Sequence, residues 1–291
     1  MKPRSIETHT AIPQEKPIRL QEYGIGIFTT ISTKSALKKV LKKNLIAVNG
    51  KIATSATYIH GGEYIELKEE TGSTIKREFQ LQLEVVYEDD HLAVINKPAG
   101  ILVSGNSFRT MANALPRNLM KSDQEDAVVP RPVHRLDYPT TGLLLVGKTS
   151  TAILTLNQLF QKKQIIKAYY AVTHGKMQSQ GRIIRAIDGK EAISDYEVLE
   201  ILPSERFGFL NLVKLFPITG RRHQLRKHMA FIGNPILGDA TYGLSNLTLK
   251  GKGLYLHAQV LEFWHPITKE KMLIETGFPK KFVKLFGTLA K

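Results

Sequence analysis

Four short stretches of this 291-residue sequence carry side chains that could do chemistry. The most pointed is VHRLDYPTTGLLLVGKT, residues 133–149, which sets His134, Arg135 and Asp137 just ahead of a continuous apolar run. Tyr138-Pro139 and the Thr-Thr-Gly that follows predict a rigid turn holding Asp137 at the edge of a sheet. A carboxylate fixed there can act as a nucleophile or a general base. A turn aspartate can equally hydrogen-bond its own backbone, and this stretch alone does not separate the two.

The second stretch, residues 217–243, crowds Arg221, Arg222, His223, Arg226, Lys227 and His228 into one turn and helix. A carboxylate withdrawn from water needs a cation beside it. Arg226 is the better-placed candidate, because it lies within an apolar-periodic segment with Leu225 and Met229. His223 and His228 are five residues apart and do not share a helix face as a zinc pair would, so no metal is expected. The third stretch, IIKAYYAV at 165–172, reads as a strand whose alternation places Lys167 and Tyr169 on one face. An aromatic ring there could stack on a nucleobase. The fourth, YEDDHLAVINKPAG at 87–100, ends a strand at Lys97-Pro98, with Gly100 permitting an unusual backbone.

The elements that must position these residues are mostly strands. VVYEDDHLAVINK reads as two apolar runs around an acidic turn, and GLLLVGK as a buried strand. Further strands are predicted at KAYYAVTHG, SDYEVLEIL, FGFLNLVKLF and LYLHAQVLEFW. Helical spacing marks residues 149–163, RRHQLRKHMAFI and the terminal PKKFVKLFGTLA. Without regular alternation of strand and helix, the expected class is α+β with a mixed, largely antiparallel sheet. Residues 1–15 read as a flexible polar tail and 16–75 as a small α+β module. The polar segment at about 70–78 reads as a linker, and 82–291 as the main domain. In the small module, Ser35 is the predicted N-cap of a helix burying Leu37, Val40 and Leu41 and exposing Lys38, Lys39, Lys42 and Lys43. Asn49-Gly50 predicts a hairpin turn.

Lys and Arg number 41 against 26 Asp and Glu, a net charge of +15. A field of that sign favours a polyanionic partner. The sequence has no cysteine, which excludes disulfides, thiolate metal sites and thiol nucleophiles. No apolar run reaches the roughly 18 residues of a membrane helix and no secretory signal opens the chain, so a cytoplasmic location, no membrane contact and a monomer are expected.

Taken in order, the four stretches resemble the RluA-type family of pseudouridine synthases. The family pattern stands here as NKPAG at 96–100, HRLD at 134–137, K-x-Y at 167–169, TGRRHQLRKH at 219–228, PILGDATYG at 235–243 and the segment 256–268. The helix, VNGK and GGEYIEL of residues 16–75 resemble the α-L RNA-binding module of the small-subunit ribosomal protein S-four type. The resemblance implies a pseudouridine synthase fold and conversion of uridine in structured RNA, without cofactor, after the nucleotide is flipped out. It gives Asp137 the catalytic role, Tyr169 stacking on the uracil with help in removing the proton from carbon five, and Arg226 pairing with Asp137. Leu225 would pack the base pocket and Arg135 would enter the gap left by the nucleotide. His134, Lys97, Arg221, Arg222, His223 and the lysines Lys38, Lys39, Lys42 and Lys43 are further candidate RNA contacts. The turn reads TTG where many relatives have TSG, and Arg222 stands where Thr or Lys is common. The expected substrate is 23S ribosomal RNA, with transfer RNA as the alternative. A base-releasing glycosylase and a non-catalytic ribosome-assembly factor are the competing functions.

Overall fold

In a computed structural model, residues 5–28, 31, 33–69, 79–247, 249 and 251–290 are described. The chain divides into two compact units, Met1–Arg77 and Glu78–Lys291. The expected linker at about 70–78 lies outside the described residues.

The first unit is built from strand β1 (Ser5–Thr10), β2 (Ile18–Arg19), helix α1 (Leu20–Tyr23), α2 (Lys34–Lys42), β3 (Ile46–Val48), β4 (Lys51–Ile52), β5 (Tyr58–Ile59) and β6 (Tyr64–Lys68). Its main sheet runs β1-β6-β3-β4. The expected flexible tail is corrected here, because β1 pairs antiparallel with β6. Its polar Glu7 and His9 face inward and its β-branched Ile6, Thr8 and Thr10 face outward, the reverse of the usual alternation. His9 is held by the Tyr23 hydroxyl at 2.9 Å.

Helix α2 starts two residues earlier than expected. Thr33, not Ser35, is the cap, its hydroxyl accepting from the Ala36 amide at 3.2 Å. Leu37 and Leu41 are buried and Lys38, Lys39, Lys42 and Lys43 are exposed. Asn49 (φ 49°) and Gly50 (φ 77°) make the two-residue turn joining β3 to β4.

The second unit contains β7 (Glu84–Glu88), β8 (Leu92–Lys97), α3 (Met111–Asn118), β9 (Ala127–Pro132), β10 (Thr141–Thr149), α4 (Ser150–Gln161), β11 (Ile166–His174) and β12 (Gln180–Ile184). It continues through β13 (Ile193–Ser204), β14 (Gly208–Pro217), α5 (Gln224–Phe231), β15 (Leu256–Trp264), β16 (Lys271–Glu275) and α6 (Lys280–Val283). Ten of these strands form one sheet ordered β12-β13-β14-β11-β15-β10-β8-β7, with β16 on β15 and β9 on β10. All named strand pairs in it are antiparallel except β10 with β15. The class is therefore the α+β, largely antiparallel one expected.

The unbroken apolar run in β10 has a simple cause. Leu144 and Val146 pack with Ala93 and Ile95 against α3, while Leu143 and Leu145 pack with Leu92 and Val94 against α4. Both faces of the strand are covered, so alternation disappears. A third core joins α5 and α6 to β11 and β14 through Leu225, Met229, Val172, Val213 and Phe282. The terminal helix expected at PKKFVKLFGTLA is broken into α6 and a short turn at Gly287–Ala290. No helix among the described residues is long and apolar enough to cross a membrane.

Candidate active site

Asp137 sits in the turn between β9 and β10, and three constraints hold that turn. Its carbonyl accepts from the Thr140 amide at 3.1 Å, and the Tyr138 carbonyl accepts from Gly100 at 2.9 Å. The fully buried Lys97 ammonium donates to the carbonyls of Pro98 (2.9 Å), Tyr138 (3.3 Å) and Thr140 (2.8 Å). Burial pushes this lysine down to about 8, although the Asp137 charge pulls the other way. The expected RNA contact at Lys97 is thus corrected: with 0% exposure it reaches the turn from inside and cannot meet a phosphate. The third constraint is Gly142 (φ 111°), where a Cβ would lie 2.1 Å from the Ala258 carbonyl oxygen. Only glycine permits β10 and β15 to approach this closely.

Across the cavity, α5 supplies Arg226, 4% exposed. Its Nε and Nη2 donate to the two oxygens of Asp239 at 2.7 and 2.8 Å. Its Nη1 lies 3.7 Å from Asp137 Oδ2, an ion pair but not a hydrogen bond. The guanidinium therefore serves two carboxylates. Asp239 is wholly buried, whereas the Asp137 side chain is 15% exposed, so Asp137 is the one that can reach a ligand. Burial drives the Asp239 carboxyl upward, but bonds from Arg226 and the Thr241 and Tyr242 amides outweigh this and leave it below the ordinary range. The Tyr242 ring lies 5.0 Å from the Arg226 guanidinium.

His223 precedes α5 in the left-handed conformation (φ 56°, ψ 25°). Its Nδ1 lies 2.9 Å from the Tyr242 hydroxyl and its Nε2 3.9 Å from Asp137 Oδ1. Burial and the nearby Arg226, Arg222 and Lys227 depress its pKa against the pull of Asp137, leaving it a neutral imidazole at neutral pH.

Tyr169 reaches the same cavity from β11. Burial, then the Asp137 charge, raises its hydroxyl well above the ordinary phenol range. The hydroxyl stays protonated, so the ring offers a flat face and a donor.

The cavity measures about 840 Å³ and is lined by His134, Arg135, Asp137, Lys167, Tyr169, Arg221, His223, Leu225 and Arg226. Eight of the expected site residues thus converge from segments lying between His134 and Arg226. His134 lines it without being a cationic contact. Its Nε2 accepts from the Leu145 amide at 2.9 Å and its ring lies 5.0 Å from Phe160. Burial and the neighbouring Lys167 push it down to about 3, so it is neutral and structural. Arg135 is exposed at the rim, and Arg222 is exposed on the turn before α5. The expected contacts Lys38, Lys39, Lys42 and Lys43 belong to the first unit.

Three functional positions escape a reading of the residues alone. Asp239 and Tyr242 fall within PILGDATYG, where the acidic and aromatic residues after a glycine are the available signal. Gln224, buried, accepts from Thr219 Oγ1 (2.7 Å) and the Arg221 amide (3.0 Å) and donates to Ile193 O and Ser194 Oγ. It fixes the turn that presents Arg221 and His223.

A family model described as RNA pseudouridylate synthase matches residues 91–231. The chain is 34% identical to "Ribosomal large subunit pseudouridine synthase D" of Vibrio cholerae, over 96% of this chain and 93% of that one. It is 30% identical to "Ribosomal large subunit pseudouridine synthase C" of Rickettsia typhi, over 96% of this chain and 98% of that one. Among solved structures it is similar to "Human RNA Pseudouridylate Synthase Domain Containing 1", with TM-score 0.58, 27% identity, and 76% and 90% of the two chains covered.

Proposed function

This chain belongs to the RluA-type family of RNA pseudouridine synthases, enzymes that isomerise uridine to pseudouridine, and on that premise we propose that Asp137 carries the reaction. The observation behind this reading is the convergence of Asp137, Tyr169 and Arg226 on one cavity from three distant segments. In the isomerisation the bond from the sugar to N1 breaks and a bond from the sugar to C5 forms. N1 gains a hydrogen and C5 loses one, with no net redox change. The fixed Asp137 carboxylate supplies the negative oxygen, either by adding to the sugar or by taking a ribose proton. Tyr169 stacks on the uracil, Leu225 packs its edge, and Asp239 holds Arg226 so that Nη1 faces Asp137. Arg135 at the rim fills the place of the extruded nucleotide, offsetting the few kcal/mol of lost stacking.

The substrate in this reading is large-subunit ribosomal RNA. The names of the relatives support it, as do the +15 charge and the exposed lysines of α2 in a module of S-four type. A cytoplasmic monomer follows from the same reading. The test is site-resolved pseudouridine mapping of total RNA with and without the gene, complemented by the parent chain or by Asp137→Asn. A lost site in large-subunit RNA that only the parent restores is expected. A lost site in transfer RNA would redirect the substrate, and restoration by Asp137→Asn would overturn the catalytic assignment.

A further inference from the structure

Beside the cavity lies a feature that the reaction does not use. The hairpin from Arg185 to Ala192 leaves edge strand β12, turning through Asp188 (φ 51°) and Gly189 (φ 73°), and is closed by reciprocal bonds between Ile187 and Lys190. It is fastened to α5 at two points and to the turn before it at a third. The Arg185 carbonyl meets His228 Nε2 at 3.1 Å, Asp188 meets Lys227 Nζ at 3.3 Å, and the Glu191 carbonyl accepts from Arg221 Nε at 2.8 Å. Arg221 itself lines the catalytic cavity, so hairpin and cavity share a wall.

On the outer side of this junction the guanidinium of Arg185 lies 3.9 Å from the ring centroid of Phe231. Phe231 is 52% exposed on the last turn of α5. A phenylalanine this exposed gains little from burial, and a stacked guanidinium keeps its donors at the periphery while its outer face can hold another flat ring. Lys190 and Arg222 are exposed nearby in sequence, and the stretch Arg221–Phe231 contains no acidic residue. Flat cation and open ring beside a nucleotide cavity, with Lys190 and Arg222 exposed and Asp188 taken up by Lys227, match single-stranded RNA, whose bases stack and whose phosphates need cations.

We propose that Arg185 and Phe231 form a stacking ledge for an unpaired nucleotide flanking the extruded uridine, with Lys190 and Arg222 on the adjoining phosphates. The ledge rests on the reading of the Asp137 cavity as the uridine site. It reads the strand next to the target, and so contributes to the choice of uridine.

The test uses the full chain and an in vitro transcript of the host's large-subunit ribosomal RNA, comparing the parent with Arg185→Lys, Phe231→Leu and the double variant. The first substitution keeps the charge and loses the plane, and the second keeps an apolar side chain and loses the ring. Each single variant is expected to raise KM roughly 5- to 20-fold, as loss of one stacked base does. Photocrosslinking of a 4-thiouridine transcript should map to Phe231 from a nucleotide adjacent to the modified one. Thermal melting of each variant separates a folding defect from a binding defect. KM unchanged in the folded double variant, or a crosslink only to distant nucleotides, overturns the ledge. Absence of pseudouridine with the parent chain would overturn the reading of the cavity instead.

Discussion

The buried charges around the cavity and the exposed lysines of α2 use electrostatics in opposite ways. Arg226 is enclosed, with Nε and Nη2 donating to Asp239 and Nη1 ion-paired with Asp137, and Lys97 has all three ammonium donors on carbonyls. Lys38, Lys39 and Lys42 on α2, and Lys43 at its C-cap, are exposed. In the first setting desolvation makes every partner obligatory, and charge is converted into geometry. In the second, water and salt screen each charge, which contributes affinity for a polyanion without fixing its position. In the proposed reading, one chain thus separates placing a carboxylate from gathering a substrate.

Substitutions can break this contrast at graded cost. The largest effect is expected at Asp137, where Asn should lower the single-turnover rate by roughly 10⁴-fold while leaving RNA affinity in place. A rate within about tenfold of the parent would remove Asp137 from the chemistry. Next comes Asp239→Ala, which strands a buried guanidinium. Denaturant unfolding should show a loss of about 3–5 kcal/mol. A loss below about 1 kcal/mol would mean Arg226 finds another partner.

Lys97 gives a pH signature. Its folded pKa, about 8, lies below the ordinary 10.5, so the unfolded chain binds the proton more tightly. The burial penalty is fully present below pH 8 and is relieved as pH rises toward 10.5, by up to about 3 kcal/mol. The stability of the parent relative to Lys97→Met should therefore increase across that window; a flat or falling difference would refute the buried, depressed lysine. The smallest effects belong to α2. Replacing Lys38, Lys39, Lys42 and Lys43 with Ala should change stability by no more than about 0.5 kcal/mol each. It should also flatten the salt dependence of RNA binding, by about 0.7 in slope for each single-strand phosphate that a lysine no longer neutralises. An unchanged slope would leave that face without a role in RNA binding.

What can be read from the sequence follows the same division. The β10 run is legible because a strand covered on both faces reads as an unbroken apolar run, and the buried face of α2 because its burial repeats with the helical period. Asp137, Tyr169 and Arg226 are legible as residue types in order, since a strand-end turn, an alternating strand and a helix each leave a local mark. Strand β1 is not, because its one apolar residue, Ile6, faces outward and pairing with β6 holds it. Helix α3 escapes notice because it is short and contains Pro116, although Thr110 caps it at the Asn113 amide. Lys97 resembles a surface cation in sequence because nothing local reveals that the distant carbonyls of Tyr138 and Thr140 join that of Pro98 around its ammonium. The Asp239 partnership is hidden for the same reason, being a pairing across thirteen residues that satisfies Arg226 before Asp137 does.

Gly142 has a consequence for engineering. With Ala258 backbone atoms 2.1 to 2.7 Å from any added Cβ, a side chain there would have to pry β10 from β15. The turn carrying Asp137 hangs from that seam, five residues upstream. Libraries that diversify the Thr-Thr-Gly triplet would therefore shift the carboxylate before they altered anything a substrate meets. Variation intended to retarget the enzyme belongs at the rim, where Arg135 and Arg222 stand in solvent and can change without moving the strands behind them.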